Sequence, residues 1–595
     1  MKKRSLNFFF LAKTSLDKNF KKKNKFNLGY FCLSDNCDLN KFSKHNVLQD
    51  HWKNKNNVLK KYKYIQTITD EIFLLLVDYL NEAHNKNENE NYWRIIIYPW
   101  VCFYVSTFFD RWEIIKYLLK KEKKKKFYTY EHDTNKKFNE ISNTLDWFYK
   151  SQSDKFNDRI FNEIIKFKNT RKIKIIKTKI KFSKNNIKIE QKSKKNFSEI
   201  LDIIISKIGI YINTIFFDKT NFEKLDFIKI CFKTLQIPSR NFNILNDLKI
   251  NNSYNYKLRK KLNFSFKKGS DFKLFLYNQI KNYLPKSYLE DFKVLIKSNQ
   301  KFLKKRLFIG SYSTTYLDRY KIFLAESKLI GSRYVFTDHG AGIHASNDSI
   351  FNHFYKISDK IICPSKKLVK KKKHSFIGFN IFKKKKKLNL KKKPTKVLIN
   401  FHEFHKFTFR VPVTTPPFER EVENFKKTIQ GFKTINNKLI KNFKFRSKSN
   451  FGLNSEKRFA KIFGKGSIEN KSLIDFSTSI NESKLVICFI PQTSYIECIF
   501  NNVPTILIGN KEGFFDTKER LQILKKLKKK NMFFNDMKEA AKFINNNWDK
   551  IEIWWNNKSL QKLRDAFLKE YYEVSQACHQ NMKNLVEQEL KLIKN

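Results

Sequence analysis

The sequence lacks any uncharged run long enough to cross a membrane as a helix. Its longest, residues 95–109, holds 15 residues between Arg94 and Asp110 and contains Pro99, whereas a span requires about 20. It reads instead as a buried or interfacial helical segment. The N-terminus, MKKRSLNFFFLAKTSL, opens on basic residues, but its apolar stretch covers only residues 6–12 and contains Asn7. No small-residue cleavage site follows, which excludes a secretory signal and points to a buried first strand. The 8 cysteines are far apart and form no framework, which suits free thiols in a reducing cytoplasm. Cys32, Cys37, His45 and His51 fit no zinc spacing. Glycine and proline are scarce, at 14 and 10, and GKGS at 464–467 lacks the spacing of a phosphate-binding P-loop.

What is abundant is positive charge. Lys and Arg total 122 against 56 Asp and Glu, a formal net charge of +66. Taken alone this suggests nucleic acid. The excess is spread along the chain, however, and rises together with Asn, Ile and 60 Phe while Gly and Pro fall. That pattern reflects AT-rich coding and a solvated lysine surface, so no nucleic-acid partner is expected. A positive surface still favours phosphorylated substrates and peripheral contact with an anionic membrane.

At 595 residues the chain exceeds what one hydrophobic core supports. The pattern predicts an α/β protein with two Rossmann-like lobes, a helical N-terminal elaboration and C-terminal helices. The N-terminal lobe spans 1–390, with strands at 6–12 and 28–33 and a helical region over 60–165. Within it, 154–195 is a loosely packed Lys/Asn-rich connector and about 300–365 an α/β unit. A donor-binding lobe over 395–545 follows the basic linker at 383–394, and terminal helices occupy 546–595. In the first α/β unit, strands are expected at 306–311, 333–337 and 360–363, with a helix over 315–329. In the second they fall at 396–401, 442–446, 485–489 and 504–508, with helices over 418–436, 493–500 and 538–546. Short β-α-β connections imply parallel sheets, whose ligands bind beyond the carboxyl ends of the strands.

The polar residues just after those strands are therefore the candidates. Thr493 and Ser494 open a helix, where free N–H groups favour a phosphate and their hydroxyls add hydrogen bonds; Glu497 follows one turn later, within reach of a donor sugar. A simple capping box explains the same residues equally well. After 333–337 comes DHGAG, in which Gly340 and Gly342 permit close approach and Asp338 or His339 supplies a general base, with a tight turn as the alternative. After 396–401 comes HEFHKFTFR. His402, Glu403 and His405 have the wrong spacing for a zinc helix, while Arg410 offers a bidentate phosphate clamp, as does Arg446 at the end of NFKFR. No carboxylate pair is placed for a metal, and no permanently bound cofactor is expected.

Several segments together resemble a family of bacterial transferases linked to surface-carbohydrate and O-antigen loci: LAKTSL at 11–16, LGYFCL at 28–33, YWRIIIYPW at 92–100 and FDRWEII at 109–115. The likeness continues through 306–328, DHGAG, ICFIPQTSYIECIFNNVPTILI and WDKIEIWWNN at 548–557. The resemblance implies a GT-B-like glycosyltransferase, cytoplasmic or peripheral at the inner face of the plasma membrane. Its substrates would be a nucleotide-sugar donor and a glycan or lipid-linked acceptor. Thr493-Ser494 also looks like the Ser/Thr pair that binds donor phosphate in sialyl- and Kdo-type transferases, which implies a CMP-sugar. The chain departs from those patterns at Asp338-His339-Gly340, where the family has Gln-His-Gly, and at Arg446-Ser447, where the sialyltransferase-like enzymes have His-Pro. Polyol-phosphate transfer, nucleotide-sugar epimerisation and a basic nucleic-acid- or membrane-binding scaffold stand as alternatives.

Overall fold

The structure, a computed structural model, describes residues 7–10, 25–32, 39, 47–48, 51–52, 55–121, 126–132, 140–178, 197–218, 220, 222–239, 248, 250, 252–262, 270–303, 305–338, 349–382, 394–411, 417–447, 450–509 and 518–593. Within them lie three sheets, all of whose pairings are parallel. The N-terminal sheet orders β1 (Asn7–Phe10), β2 (Lys25–Asn27), β3 (Phe127–His132) and β4 (Ile173–Thr178) as β2-β1-β3-β4. The middle sheet runs in chain order through β5 (Ile215–Phe217), β6 (Leu307–Gly310), β7 (Arg333–Thr337), β8 (Lys360–Cys363) and β9 (His374–Phe376). The third contains β10 (Lys396–Phe401), β11 (Phe443–Ser447), β12 (Ser483–Cys488), β13 (Thr505–Ile508) and β14 (Phe533–Phe534), ordered β11-β10-β12-β13-β14.

Period-two alternation covers both faces of each larger sheet. In the third, Val397, Ile399 and Phe401 join the main core while Leu398 faces a second cluster with Val486, Tyr495 and Trp555. In the middle sheet, Phe216, Phe308 and Tyr334 face the main core, and Ile215, Leu307 and Val335 face a third cluster. A chain that always steps the same way, with right-handed crossovers, tends to put its helices on one face. The other face is covered from elsewhere: helix Cys578–Lys591 returns to it, burying Cys578, Met582, Leu585 and Val586 beside helix Lys224–Lys233.

The main core is built around two long helices, α1 (Lys55–His84) and α2 (Glu90–Lys121). Helix α2 continues through Pro99 and is buried along most of its length, as expected of a helix apolar on every side. Among the described residues, no helix is long and apolar enough to cross a membrane.

Three expectations change. The helical region expected over 60–165 is interrupted by β3. The strand expected at 28–33 lies earlier, as β2, and a 3-10 turn, Tyr30–Cys32, takes its place. At Gly29 a side chain would meet the Phe31 ring at 2.4 Å and the Glu419 carboxylate at 2.5 Å, so any other residue would have to displace both. Nor is 154–195 a loose connector throughout. Asp154–Lys168 is a helix capped by Ser153, with Phe156, Ile160, Phe161, Ile164 and Ile165 buried, and β4 follows. Lysine and asparagine dominate the count there, but the apolar stripe has helical period and decides the packing. The remainder of that connector, 179–196, and most of the basic linker, 383–393, lie outside the described residues.

Candidate functional site at the strand ends

In the third sheet the chain leaves β10 towards β11 and then crosses back to β12 on the other side. The carboxyl ends of β10 and β12 therefore flank the topological switch point, where open α/β sheets form their ligand crevice. One side of it is the loop 402–411. The other is the turn 489–492, leading into helix Thr493–Phe500.

Thr493 is exposed, Ser494 and Glu497 are half-buried, and the N-cap residue Gln492 makes no side-chain cap. The inner face of this helix, Tyr495, Ile496, Cys498 and Ile499, is fully buried. Packing thus fixes the helix and leaves its first-turn hydroxyls on the accessible side. The helix N-terminus offers N–H donors and the positive end of a dipole.

The β10 loop is held rigidly. Glu403 is buried and accepts from the Ser455 N–H at 2.7 Å, the Ser455 hydroxyl at 2.5 Å and the Phe451 N–H at 2.9 Å. Burial raises its pKa against those hydrogen bonds. His405 sits among Phe148, Phe409 and Phe451. Burial, then the neighbouring Arg410 charge, pushes its pKa down to about 3, so the ring is neutral. Arg410 is half-buried at the end of the loop, its guanidinium 5.4 Å from the Phe409 ring centre. Arg446 is engaged elsewhere: it donates to Glu469 at 2.8 Å and to the Ile474 carbonyl at 2.9 Å. Burial opposes ionisation of Glu469, but hydrogen bonds from Ser479 and Arg446 and the nearby Lys396 outweigh it and hold its pKa down.

The loop is also gripped by the FDRW segment of α2. Arg111 is fully buried and donates to Asn157 Oδ1 at 2.7 Å and 2.8 Å, to Asp110 at 3.0 Å, and to the Thr408 carbonyl. Asp110 also takes the Trp52 indole N–H at 2.7 Å and lies 3.1 Å from His51 Nε2. Lys61 stands 3.1 Å from His51 Nδ1, so the ring accepts there and carries its proton on Nε2. Lys406 pairs with Asp154 at 2.6 Å. The segments that carried the family resemblance are thus the joint between the N-terminal region and the β10 loop.

A second cleft lies beyond the carboxyl ends of β7 and β8, lined by Thr337, Asp338, Cys363, Pro364, Phe379 and Tyr572 among others. Asp338 is close enough to Cys363 to add to burial in pushing that thiol up to about 12. His339, Gly340 and Gly342 lie outside the described residues. One wall is the C-terminal segment: Glu573 N–H donates to the Pro364 carbonyl and Ser575 N–H to the Gly378 carbonyl, both at 2.9 Å. Gly378 has a φ of +82°, and a side chain there would meet Ser575 at 2.6 Å. Close approach and backbone angle both require glycine.

Tyr572 links the two crevices. It lines the cleft containing Asp338, meets Phe500 of the Thr493–Phe500 helix edge-to-face at 5.4 Å between ring centres, and feels the Glu497 carboxylate. Its hydroxyl takes the Ile381 N–H at 2.7 Å and lies 3.1 Å from both the Phe379 carbonyl and Asn380 Oδ1. Burial first, with Glu497 adding to it, raises its pKa, so it stays a neutral phenol. Tyr572 thus shares a cleft with Asp338 and lies within reach of the Glu497 charge. Sequence inspection missed Tyr572, because nothing in KEYYEV marks it; only the returning C-terminal segment gives it a role.

Among the described residues one group of metal-ligand types converges, Asp226, Cys578 and His579. His579 Nε2 lies 2.8 Å from Asp226 Oδ1, pinning the last helix to Lys224–Lys233. No curated protein matches the chain. Residues 9–586 match the family described as LIC12162 family transferase. With its strand-end crevices and near-complete family match, the protein belongs to the LIC12162 family and is an enzyme with transferase activity.

Proposed function

We propose that this transferase moves a sugar from a nucleotide-activated donor to a bacterial surface-polysaccharide acceptor. The observation that carries the reading is the switch point of the third sheet, where a helix start with exposed Thr493 and half-buried Ser494 lies across from the loop ending in Arg410. Donor phosphate would receive the first-turn N–H groups and the two hydroxyls, Arg410 would balance its charge, and Glu497 would take a sugar hydroxyl. Arg446, committed to Glu469, contributes by fixing the end of β11 rather than by touching phosphate.

In the cleft that Tyr572 lines, Asp338 would accept the proton of the acceptor hydroxyl as its oxygen bonds to the anomeric carbon. The bond from that carbon to the phosphate oxygen breaks, and the electron pair leaves with the nucleotide. Fixed donors at the leaving phosphate are the larger contribution, because they need no reorganisation during the reaction. A cytidine monophosphate sugar is the first donor to test, on the likeness of Thr493-Ser494 to the sialyl- and Kdo-type pair.

The test is a thermal-shift panel of CMP, UDP, GDP and dTDP with their sugar conjugates, followed by product analysis with the stabilising donor. One nucleotide class should raise the melting temperature in a concentration-dependent way. A flat response to all four removes the donor site. A phosphodiester product would instead establish polyol-phosphate transfer.

A further inference from the structure

Helix Phe197–Ile212 is inverted with respect to the rule for a surface helix. Its buried positions are Ser206, Gly209 and Ile210, followed by Asn213 just beyond its end. Its outward positions are Ile200, Leu201, Ile204, Ile208, Tyr211 and Ile212, between 46% and 63% exposed. At about 100° per residue these six fall within an arc of about 120°, a width typical of a face that a helix normally buries. Gly209 explains the packing: a side chain there would meet Ser239 Oγ at 2.2 Å, so the helix lies close on its small, polar side.

The apolar face continues past the helix end. Asn213 exchanges hydrogen bonds of 2.8 Å with the Ile237 backbone, which brings the turn at 234–237 alongside. That turn presents Leu235, 92% exposed, with a φ of +56°. This is the left-handed position after a helix where glycine or asparagine is favoured, so the chain holds an outward leucine at a conformational cost. Arg306 N–H donates to the Thr214 carbonyl, placing exposed Arg306 on the same edge of the middle sheet, and Tyr211 contacts Phe302 at 5.4 Å beside exposed Lys301. Lys207 flanks the apolar arc and is exposed. In sequence, the 18 residues at 179–196 just before the helix contain seven lysines and one glutamate.

We propose that this face lies on an anionic phospholipid bilayer, with the isoleucine stripe entering the interface and the surrounding cations meeting lipid headgroups. Burial of outward apolar groups and attraction between a chain of +66 and an anionic surface act together. A soluble neutral partner could cover the apolar face but would gain nothing from the charge. The face borders the amino ends of the middle-sheet strands, whereas the strand-end crevices lie at carboxyl ends, so docking leaves those crevices uncovered. The inference is independent of which group the enzyme transfers.

The experiment is co-sedimentation of the full chain with vesicles of phosphatidylcholine alone or with about 30 mol% phosphatidylglycerol. The wild type should partition onto the anionic vesicles, and Ile204→Asp/Ile208→Asp should lower the partition coefficient about tenfold or more. Leu235→Asp, outside the helix, should act in the same direction, and circular dichroism with a melting curve confirms that each variant is folded. Equal binding by wild type and variants would reduce the effect to diffuse charge and overturn the assignment, as would no wild-type binding. A wild-type dimer that becomes monomeric in the variants, without vesicle binding, would make the face a contact between copies and overturn it too.

Discussion

Arg111, inside the second long helix, donates a hydrogen bond to the main-chain carbonyl of Thr408, 297 residues away. Thr408 belongs to the loop that leaves β10 at the switch point of the third sheet, two residues before Arg410. One buried side chain in the N-terminal region therefore sets the position of a loop in the donor crevice. Its remaining donors are spent on Asn157 and Asp110, which orient the guanidinium without any contribution from the loop.

Arg111→Ala should be strongly destabilising, because it leaves Asp110 buried without its cation and the Thr408 carbonyl without its donor. Breaking a buried pair of this kind costs about 3–5 kcal/mol. Urea denaturation should show the midpoint falling sharply, and Arg111→Lys should recover only part of it, since an ammonium cannot span Asn157 and Thr408 together. A loss below about 1 kcal/mol would show that the joint is dispensable.

Thr493→Ala/Ser494→Ala should leave the fold intact, as the two hydroxyls face outward on a helix held by Tyr495, Ile496, Cys498 and Ile499. Nucleotide affinity should fall by about tenfold for each hydroxyl bond to phosphate that is lost. Isothermal titration with the stabilising donor measures this directly. Unchanged affinity would return the pair to a purely structural part in the helix start.

Tyr572→Phe removes the hydroxyl that meets the Ile381 N–H and lies beside Phe379 and Asn380, while keeping the edge-to-face contact with Phe500. The buried N–H left without a partner should cost about 1–3 kcal/mol. Because Tyr572 lines the cleft that holds Asp338, turnover should fall by more than donor affinity does. Equal losses in both would assign the hydroxyl to stability alone.

His353 is fully buried, stacks 5.6 Å from Tyr98, and has no hydrogen-bond partner on either ring nitrogen among the described residues. Burial, then the charges of Arg94, Lys321 and Lys356, drive its pKa well below the ordinary 6.5. The unfolded chain takes up this proton as pH falls through about 6.5, while the folded chain refuses it, so the stability it contributes is present above that value and lost below it. One such group removes about 1.4 kcal/mol between neutrality and pH 5.5. His353→Phe should keep the stack and flatten the pH dependence of urea stability by that amount. The variant comparison isolates His353 from Glu403 and Glu421, whose raised pKa values act with the opposite sign.

The elements with strong periodicity were legible from residues alone. The strand at 360–363 and the helix at 493–500 fall where alternation and flanking turns put them, and the buried helix through Pro99 follows from a stretch apolar on all sides. Short strands were not legible: Ile215–Phe217 and Phe533–Phe534 are too brief to set a period, and partners from distant segments define them. Asp154–Lys168 was hidden by composition, since lysines and asparagines crowd the wider stretch 154–195 in which its packing stripe lies.

By itself the sequence determined the local chemistry: which segments alternate, which helix starts with hydroxyls, and where arginines follow strands. Those properties depend on neighbours a few residues apart. Only the tertiary structure decided what each group faces. Arg410 and Arg446 are alike in sequence, yet Glu469 engages the second, and Tyr572 reaches the cleft of Asp338 only because the C-terminal segment folds back. In Phe197–Ile212 the side that packs is Ser206, Gly209 and Ile210 while Ile200, Ile204 and Ile208 face outward, which tertiary contacts decide. Burial and ion pairing are set by contacts across hundreds of residues, and no local pattern encodes which partner arrives.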